Sequence, residues 1–332
     1  MTLADRPLVS VLMSVRNGGP FLRESMESIF RQDYPDLEII VVDDGSDDAT
    51  PLVLSEYRQR DSRLRVLTNT SSRGLPASLN RAIDAARGFY LARMDADDLS
   101  LPDRIRVQVD FMQQHGDVGI LGGWVRIIGT GEIWRSPEFH EQIHANLPFA
   151  NQLFHPTVMF RASVFAAGAR YSENFANAQD YELWTRLSSR VRFHNLQRVL
   201  LDYRLGINSA TGEFENTPLS RQKQFVLQAQ KAFLSSFPGL KRPHVEALLD
   251  VAGQRRMSLR EIRFAIGGLR VIEETLLPSA RTRDLMRREF SRRYRSILRR
   301  FSGRNVINAL SIPYAGAWRN WKRVTEAFLK IS

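Results

Sequence analysis

The decapeptide Phe89-Tyr90-Leu91-Ala92-Arg93-Met94-Asp95-Ala96-Asp97-Asp98 reads as a short strand that runs into a cluster of carboxylates. Phe89–Ala92 is apolar and brief, the pattern of a buried strand. Three Asp residues then arrive within four positions. Side chains on an extended chain alternate faces, so Asp95 and Asp97 are expected to point the same way. Two carboxylates on one face repel each other unless a cation lies beside them. Hard oxygen ligands of this kind suit Mg2+ or Mn2+, ions that also hold substrate phosphates. A solvated acidic turn is the plainer alternative, because Asp is common in turns and at helix N-caps. Asp98 reads as such a turn residue.

The flanking sequence supplies the context. Toward the N-terminus, Val9, Val11, Met13 and Val15 alternate within Leu8–Val15, a strand signal. Asn17-Gly18-Gly19-Pro20 is a turn. Leu22, Met26, Ile29 and Phe30 then form the apolar stripe of a helix. Leu37–Val42 is almost wholly apolar after Glu38, as expected of a central strand covered on both faces. It ends in Asp43-Asp44-Gly45-Ser46. Thr50-Pro51 reads as an N-cap followed by Pro at the first helical position, with the helix running through Tyr57. A strand is expected at Leu64–Leu67 and a polar loop at Asn69–Gly74. Leu79, Ala82, Ile83 and Ala86 mark a further helix, with Gly88 as its C′ stop. Beyond the acidic stretch, a helix opens at Leu101-Pro102 and carries Ile105, Val109 and Met112, and Val118–Leu121 is a strand. Strands alternating with helices at this spacing predict an α/β domain, a Rossmann-like, mostly parallel twisted sheet flanked by helices. Ligands of such sheets sit beyond the carboxyl ends of the strands. Asp43-Asp44 and Asp95-Asp97 therefore share one rim.

Past Ile127 the pattern weakens. His155-Pro156-Thr157 leads into a short strand, Val158–Phe160. Phe175–Gln179 is loop-like, and Asp180 opens a helix with Leu183, Trp184 and Leu187 on one face. Arg192–Leu196 and Val199–Arg204 read as two short strands, a possible hairpin. After about residue 210 the pattern becomes helical: Leu219–Phe237, His244–Ala252, Leu259–Leu276 and Ser279–Arg300. The polar stretch Asn208–Pro218 marks a boundary, giving two domains, 1–210 and 211–332.

Charge divides the chain at the same place. Residues 1–210 hold 23 Arg, no Lys and 26 Asp plus Glu, a net −3; residues 211–332 hold 24 Arg plus Lys and 10 Asp plus Glu, a net +14. The acidic front calls for cations, and the basic back for a phosphate-rich surface such as anionic lipid or nucleic acid. There are no cysteines among the 332 residues, which excludes disulfides, Cys-ligated metals and a Cys nucleophile. The N-terminal residues show no apolar signal-peptide core, and no apolar run approaches the ~20 residues needed to span a bilayer. A soluble or peripherally bound cytoplasmic protein is expected.

Several residues carry chemistry in this pattern. Asp44, at a strand end, can accept a hydrogen bond from a nucleobase N–H, or simply shape its turn; Asp43 reads as structural. The chain has neither G-x-x-x-x-G-K-[ST] nor G-x-G-x-x-G, so bound phosphates need a metal and arginines. Arg73, in the loop before the third helix, suits that task as well as it suits solvent, and Arg16 is a weaker case. Asp180 lies near a helix N-terminus, where an anion is favoured. A general base must stay ionised and reach the acceptor, which this position permits; a plain N-cap is the alternative. His155 can line the site or ligate metal, though a lone His is more often structural. Trp184 reads as core with one edge available to an acceptor pocket.

The ordered motifs Val9–Gly18, Val41–Ser46, Asn80…Gly88, Met94–Asp98, His155–Arg161 and Gln179–Trp184 resemble family-2 nucleotide-sugar glycosyltransferases of the GT-A fold, over roughly residues 7–205. The resemblance implies inverting transfer of a sugar from a nucleoside diphosphate sugar, with UDP the usual nucleotide. Carried over, it sets Val15, Asn17, Asp44, Arg73, Asp95, Ala96 and Asp97 along the donor. Asp44 meets the base, Asp95 the ribose side, and Asp97 a Mn2+ or Mg2+ ion on the diphosphate. Asp180 is the general base. Ser14 and Arg16 stand where the family often has Pro and Tyr, and Gln179 where it often has Glu.

The resemblance does not reach the basic helices. Arg287, Arg288, Arg292, Arg293, Arg295, Arg299 and Arg300 crowd one of them, and Trp318, Trp321 and Phe328 alternate with Arg319, Lys322, Arg323 and Lys330 in the tail. Such a surface suits an anionic membrane and a lipid-linked or glycan acceptor of cell-surface polysaccharide, or a homo-oligomer contact, or plain solvation. Two rivals remain. A sugar nucleotidyltransferase usually needs a Gly-rich loop and a phosphate-binding Lys, both missing from the front. A nucleic-acid-binding protein would leave the acidic rim unexplained, so nucleic acid is not expected as a partner.

Overall fold

The structure, a computed structural model, describes residues 6–175, 177–205, 221–253, 257–276 and 283–298. It divides into two compact units, residues 1–138 with 153–225 and residues 139–152 with 226–332. The boundary stretch expected near 208–218 lies outside the described residues. The segment 139–152, whose pattern was weak in the sequence, groups with the C-terminal helices.

The first unit is built on one sheet. Strands β1 (Val9–Val15), β2 (Leu37–Asp43), β3 (Leu64–Thr68) and β4 (Tyr90–Met94) alternate with helices α1 (Leu22–Phe30), α2 (Thr50–Arg60) and α3 (Leu75–Ala85). After β4 come β5 (Leu99–Ser100), α4 (Arg104–Gln114), β6 (Val118–Ile127) and β7 (Ile133–Trp134). The strand order is β3-β2-β1-β4-β8-β6-β9-β5, with β7 on β6, where β8 is Met159–Arg161 and β9 is Arg192–Tyr203. β1 pairs in parallel with β2, from Val9↔Leu37 to Val15↔Asp43, and with β4, from Val9↔Tyr90 to Met13↔Met94. β8 runs antiparallel to both β4 and β6, so the far half of the sheet is mixed. The strand order reverses between β1 and β4, the switch point at which such sheets bind ligands.

Every residue of β2 is buried, as a strand between two parallel neighbours requires. Its one early polar residue, Glu38, is satisfied inside: it accepts hydrogen bonds from Ser10 Oγ at 2.6 Å and Arg87 N at 2.6 Å. Burial alone would raise this carboxyl, but the bonds from Ser10 and Arg87 outweigh it and hold it below its ordinary range.

Three local expectations are corrected. Thr50 is the first helical residue rather than the cap; Asp48 Oδ1 accepts the Thr50 N–H at 2.9 Å, and Thr50 Oγ1 accepts from Gly18 N at 2.8 Å. Gly88 is not a helix stop, because α3 already ends at Ala85 with Ala86 extended. It is needed for close approach: its N–H donates to Ser10 Oγ at 2.8 Å, and a Cβ there would lie 2.5 Å from Ser10 N. The expected pair of short strands is one strand, β9, parallel to β6. Its register jumps from Gly123↔Leu196 to Trp124↔Val199, so the exposed Gln197-Arg198 is a bulge rather than a turn.

The rest of the first unit comprises a 3-10 turn (His155–Thr157), α6 (Ala162–Ala166) and α7 (Gln179–Leu187). The second contains α5 (His140–Asn146), α9 (Arg242–Ala252), α10 (Leu259–Leu276) and α11 (Arg283–Leu298), together with most of α8 (Arg221–Ser235). His144 packs its ring on Phe233 and Phe237 at 5.2 and 5.5 Å. Arg293 lies over the Phe149 ring at 4.4 Å and donates to Asn146 Oδ1 at 3.1 Å, so this member of the arginine-rich helix is turned inward. Arg292 pairs with Glu289 at 3.0 Å. Arg299, Arg300 and the aromatic tail lie outside the described residues. No described helix is long and apolar enough to cross a membrane.

Candidate active site

At the end of β4 the backbone turns instead of extending, which changes the expected geometry of the acidic stretch. One oxygen from each of Asp95, Asp97 and Asp98 falls within 4.8 Å of the others. Asp98 is thus part of the cluster and not a solvated turn residue; it is 1% exposed. The turn is pinned from two sides. Ser25 Oγ on α1 donates to Asp95 O at 2.9 Å. Arg204, just past β9, donates Nε to Asp97 O at 2.9 Å and its backbone N–H to Asp98 Oδ1 at 2.8 Å. Arg204 is held in turn by Glu24 at 2.8 Å and by the Phe21 ring at 4.1 Å.

Crowding shows in the proton affinities. Burial, then the charge of Asp95, pushes Asp97 up to about 6 and Asp98 up to about 8. Asp98 Oδ2 is buried without a hydrogen-bond donor. A buried carboxylate oxygen normally has a partner. The set of hard, mutually repelling oxygens with one unmet acceptor fits Mg2+ or Mn2+.

The neighbouring rim is organised by Asp44. Its Oδ1 accepts from Asn69 Nδ2 at 2.6 Å, Ser78 Oγ at 2.9 Å and Arg73 N at 2.8 Å. Its Oδ2 accepts from Ser72 Oγ at 2.8 Å and Gly74 N at 2.9 Å. Burial would raise this carboxyl, but the bonds from Arg73 N–H, Asn69, Ser72 and Ser78 bring it down to about 2. Both oxygens are thus engaged in shaping loop 69–74. Gly45 permits that packing, with φ +70° and a would-be Cβ only 2.9 Å from the Ser71-Ser72 backbone. Asp43 shapes its own turn by accepting from Ser46 N at 3.0 Å. Asn17 adopts positive φ, exchanges hydrogen bonds with Asp47 at 2.7 and 3.0 Å, and so joins the β1–α1 and β2–α2 loops. Val15 buries its side chain in the core, while its carbonyl accepts from Asp44 N at 2.8 Å. Arg73 and Arg16 are exposed, and Ala96 is half-buried within the acidic turn.

Asp180 occupies the first turn of α7 and is half-buried; the N-cap is Ala178, so Asp180 is not the cap. Behind it lies a buried polar cluster. Tyr171 is within electrostatic reach of Arg93, Asp180 and Asp95, and its hydroxyl meets His155 Nε2 at 2.8 Å. Asn80 on α3 clamps the Tyr171 backbone with two 2.9 Å hydrogen bonds. His155 is 7% exposed, and burial, then Arg93, holds it neutral, well below 6.5. It stands outside the carboxylate cluster. Trp184 is 0% exposed, packed edge-on to His155 at 5.9 Å and stacked on Phe160 at 5.7 Å. It is a core residue with no exposed edge for an acceptor. Gln179, beside the candidate base, is buried with Oε1 lacking a donor.

Sequence reasoning missed Asp98, Arg93, Arg204 and Tyr171, and took Asn80 only as part of a motif, without a role. Arg93 carried a visible signal, a charge inside an apolar strand; Arg204 acts over a long sequence separation and carried none.

Residues 10–174 match the model of glycosyl transferase family 2. The O-antigen biosynthesis glycosyltransferase WbnJ of Escherichia coli is 34% identical over 212 residues, covering 62% of this chain and 82% of WbnJ. The chain belongs to glycosyltransferase family 2. Among solved structures, residues 1–349 of S. aureus TarS in complex with UDP-GlcNAc share the fold at 17% identity, TM-score 0.59, over 97% of this chain and 91% of that one. The mannosyltransferase PcManGT of Pyrobaculum calidifontis, in complex with GDP-Man and Mn2+, does so at 18% identity, TM-score 0.55, over 98% and 85%. The fold is of the GT-A type.

Proposed function

We propose that the chain moves a sugar from a nucleoside diphosphate sugar, foremost a UDP-sugar, to a hydroxyl of a glycan or lipid-linked acceptor in cell-surface polysaccharide synthesis. Transfer is a single displacement that inverts the anomeric carbon. The observation that carries this reading is the convergence of Asp95, Asp97 and Asp98 at the carboxyl end of β4, at the switch point of the sheet.

In this reading Asp97 holds Mn2+ or Mg2+, which when bound neutralises charge developing on the diphosphate leaving group. Asp95 accepts from the ribose. Loop 69–74 with Arg73, and the chain around Val15, Asn17 and Ala96, encloses the nucleoside, with Asp44 fixing the loop from behind. Asp180 takes the proton of the acceptor hydroxyl, which is a poor nucleophile until deprotonated. The ion in the PcManGT complex supports the metal, and the ligand of TarS supports a UDP-sugar. The O-antigen role in the name of WbnJ supports a polysaccharide product. The +14 C-terminal region supports peripheral contact with an anionic membrane on the cytoplasmic side, or with a second copy of the chain.

The test is release of nucleoside diphosphate from UDP-, GDP- and dTDP-sugars with Mn2+ or Mg2+, with the anomeric configuration of the product read by NMR. Metal-dependent release from one donor with an inverted product is expected. A retained configuration overturns the single displacement. Release of pyrophosphate from a nucleoside triphosphate and a sugar phosphate would show a nucleotidyltransferase instead.

A further inference from the structure

Arg93 is the unusual residue of β4. It sits among Tyr90, Leu91, Ala92 and Met94, all buried, and its own side chain is 4% exposed. Burying a guanidinium is costly unless it is paired and hydrogen-bonded. Arg93 is only partly compensated: Nη1 lies against Asp95 Oδ2 as an ion pair without hydrogen-bond geometry, and Nε is buried with no partner. A second buried cation, Arg104, donates Nη2 to the Arg93 carbonyl at 2.7 Å, and the pair repel. Arg93 also faces the neutral His155–Tyr171 pair, which offers it no counter-charge. The arrangement is expensive, and its one direct product is the fixed position of Asp95.

Asp95 could otherwise share a cation with Asp97 and Asp98, because all three reach within 4.8 Å. The ion pair engages Asp95 Oδ2, so Oδ1 is the oxygen left for a ligand. We propose that Arg93 is a positioning residue that commits Asp95 to the nucleotide sugar rather than to the metal, so that the turn takes a single divalent ion centred on Asp97. This deepens the donor-site reading above and rests on it.

The experiment uses the full chain as wild type, Arg93→Met, Arg93→Lys, Asp95→Asn and the double variant Arg93→Met with Asp95→Asn. Calorimetric titration with Mn2+ alone, and with UDP in saturating Mn2+, gives the two affinities. In Arg93→Met, Mn2+ is expected to bind about 3-fold or more tightly, or with a second equivalent, as Asp95 joins the metal. UDP is expected to bind about 10-fold more weakly, as a lost oriented acceptor implies. These opposite shifts are a signature that mere loss of packing would not give. The double variant should bind UDP no worse than Asp95→Asn, since Arg93 acts through Asp95. Parallel loss of both affinities, or no change in either, overturns the proposal. Arg93→Lys keeps a cation beside Asp95 and should fall between wild type and Arg93→Met in both affinities. If Arg93→Met does not fold, Arg93→Gln is read in its place, where tighter Mn2+ with weaker UDP binding upholds the proposal and parallel loss of both or no change in either overturns it. Failure of wild type to bind any nucleotide would refute the donor-site reading itself, and it appears before any variant is compared.

Discussion

Replacing Asp44 by Asn should destabilise the sheet unit by about 2–4 kcal/mol at neutral pH while keeping the side chain's size. Five donors converge on this carboxylate, three on one oxygen and two on the other. An amide must turn its NH2 toward at least two of them. The drop from 3.8 to about 2 that these same hydrogen bonds produce corresponds to about 2.4 kcal/mol of preference for the ionised form. The pH dependence has a definite sign. A depressed carboxyl stabilises fully above its unfolded value and loses that contribution as pH falls from about 4 through about 2. The variant lacks this titration, so the gap in stability between wild type and Asp44→Asn should narrow by about 2 kcal/mol between pH 6 and pH 2, where the folded-state carboxyl is half protonated. Urea unfolding followed by circular dichroism across that range measures it, and a thermal scan at pH 7 should show a fall of about 5–15 °C. A gap below 0.5 kcal/mol at pH 7, roughly the size of a neutral surface change, would refute the role assigned to Asp44. So would a gap that stays constant down to pH 2.

Other expectations concern the base, the strand crossing and the buried cluster. Asp180→Asn should lower kcat by about 10²–10⁴-fold in steady-state assays, with donor affinity by calorimetry within about 3-fold of wild type; a matching loss of affinity would make Asp180 a donor contact instead. Gly88→Ala drives a Cβ into the Ser10 backbone and should cost about 1–3 kcal/mol in urea unfolding; a neutral result would mean that β1 can give way. Tyr171→Phe leaves His155 Nε2 without its 2.8 Å partner and should cost about 1–3 kcal/mol, read by thermal unfolding. An unchanged Tm would place water where Tyr171 is assigned.

Much of the sheet half was legible because its signals are local. The apolar run of β2, the stripe of α1 and the Asp residues after β2 and β4 each depend on a few neighbouring positions. The alternation of β1 to β4 with helices and the shared acidic rim follow from them. What was not legible depends on chain direction or long-range pairing. Alternation along an extended strand holds only while the chain stays extended, and the turn at 95–98 brought Asp98 inward against that rule. Exposed Gln197 and Arg198 look like a hairpin turn until β6 supplies a parallel partner that tolerates a bulge. Asp44 reads first as a base contact and second as a turn former, and only the donors at residues 69–78, 25 to 34 residues away, show that both of its oxygens are engaged. Trp184 sits on the apolar stripe of its helix, and the stripe proved the better guide to its place in the core.

The most direct test of the account is calorimetric titration of UDP, GDP and dTDP, each with and without Mn2+, into wild type and Asp97→Ala. One nucleotide should bind only with Mn2+, and Asp97→Ala should lose that binding while unfolding at the wild-type temperature or above, since a half-buried, repelled carboxylate has been removed. Nucleotide binding that ignores the metal, or that survives in Asp97→Ala, would contradict the assignment of the acidic turn as the cation site of a nucleotide-sugar transferase.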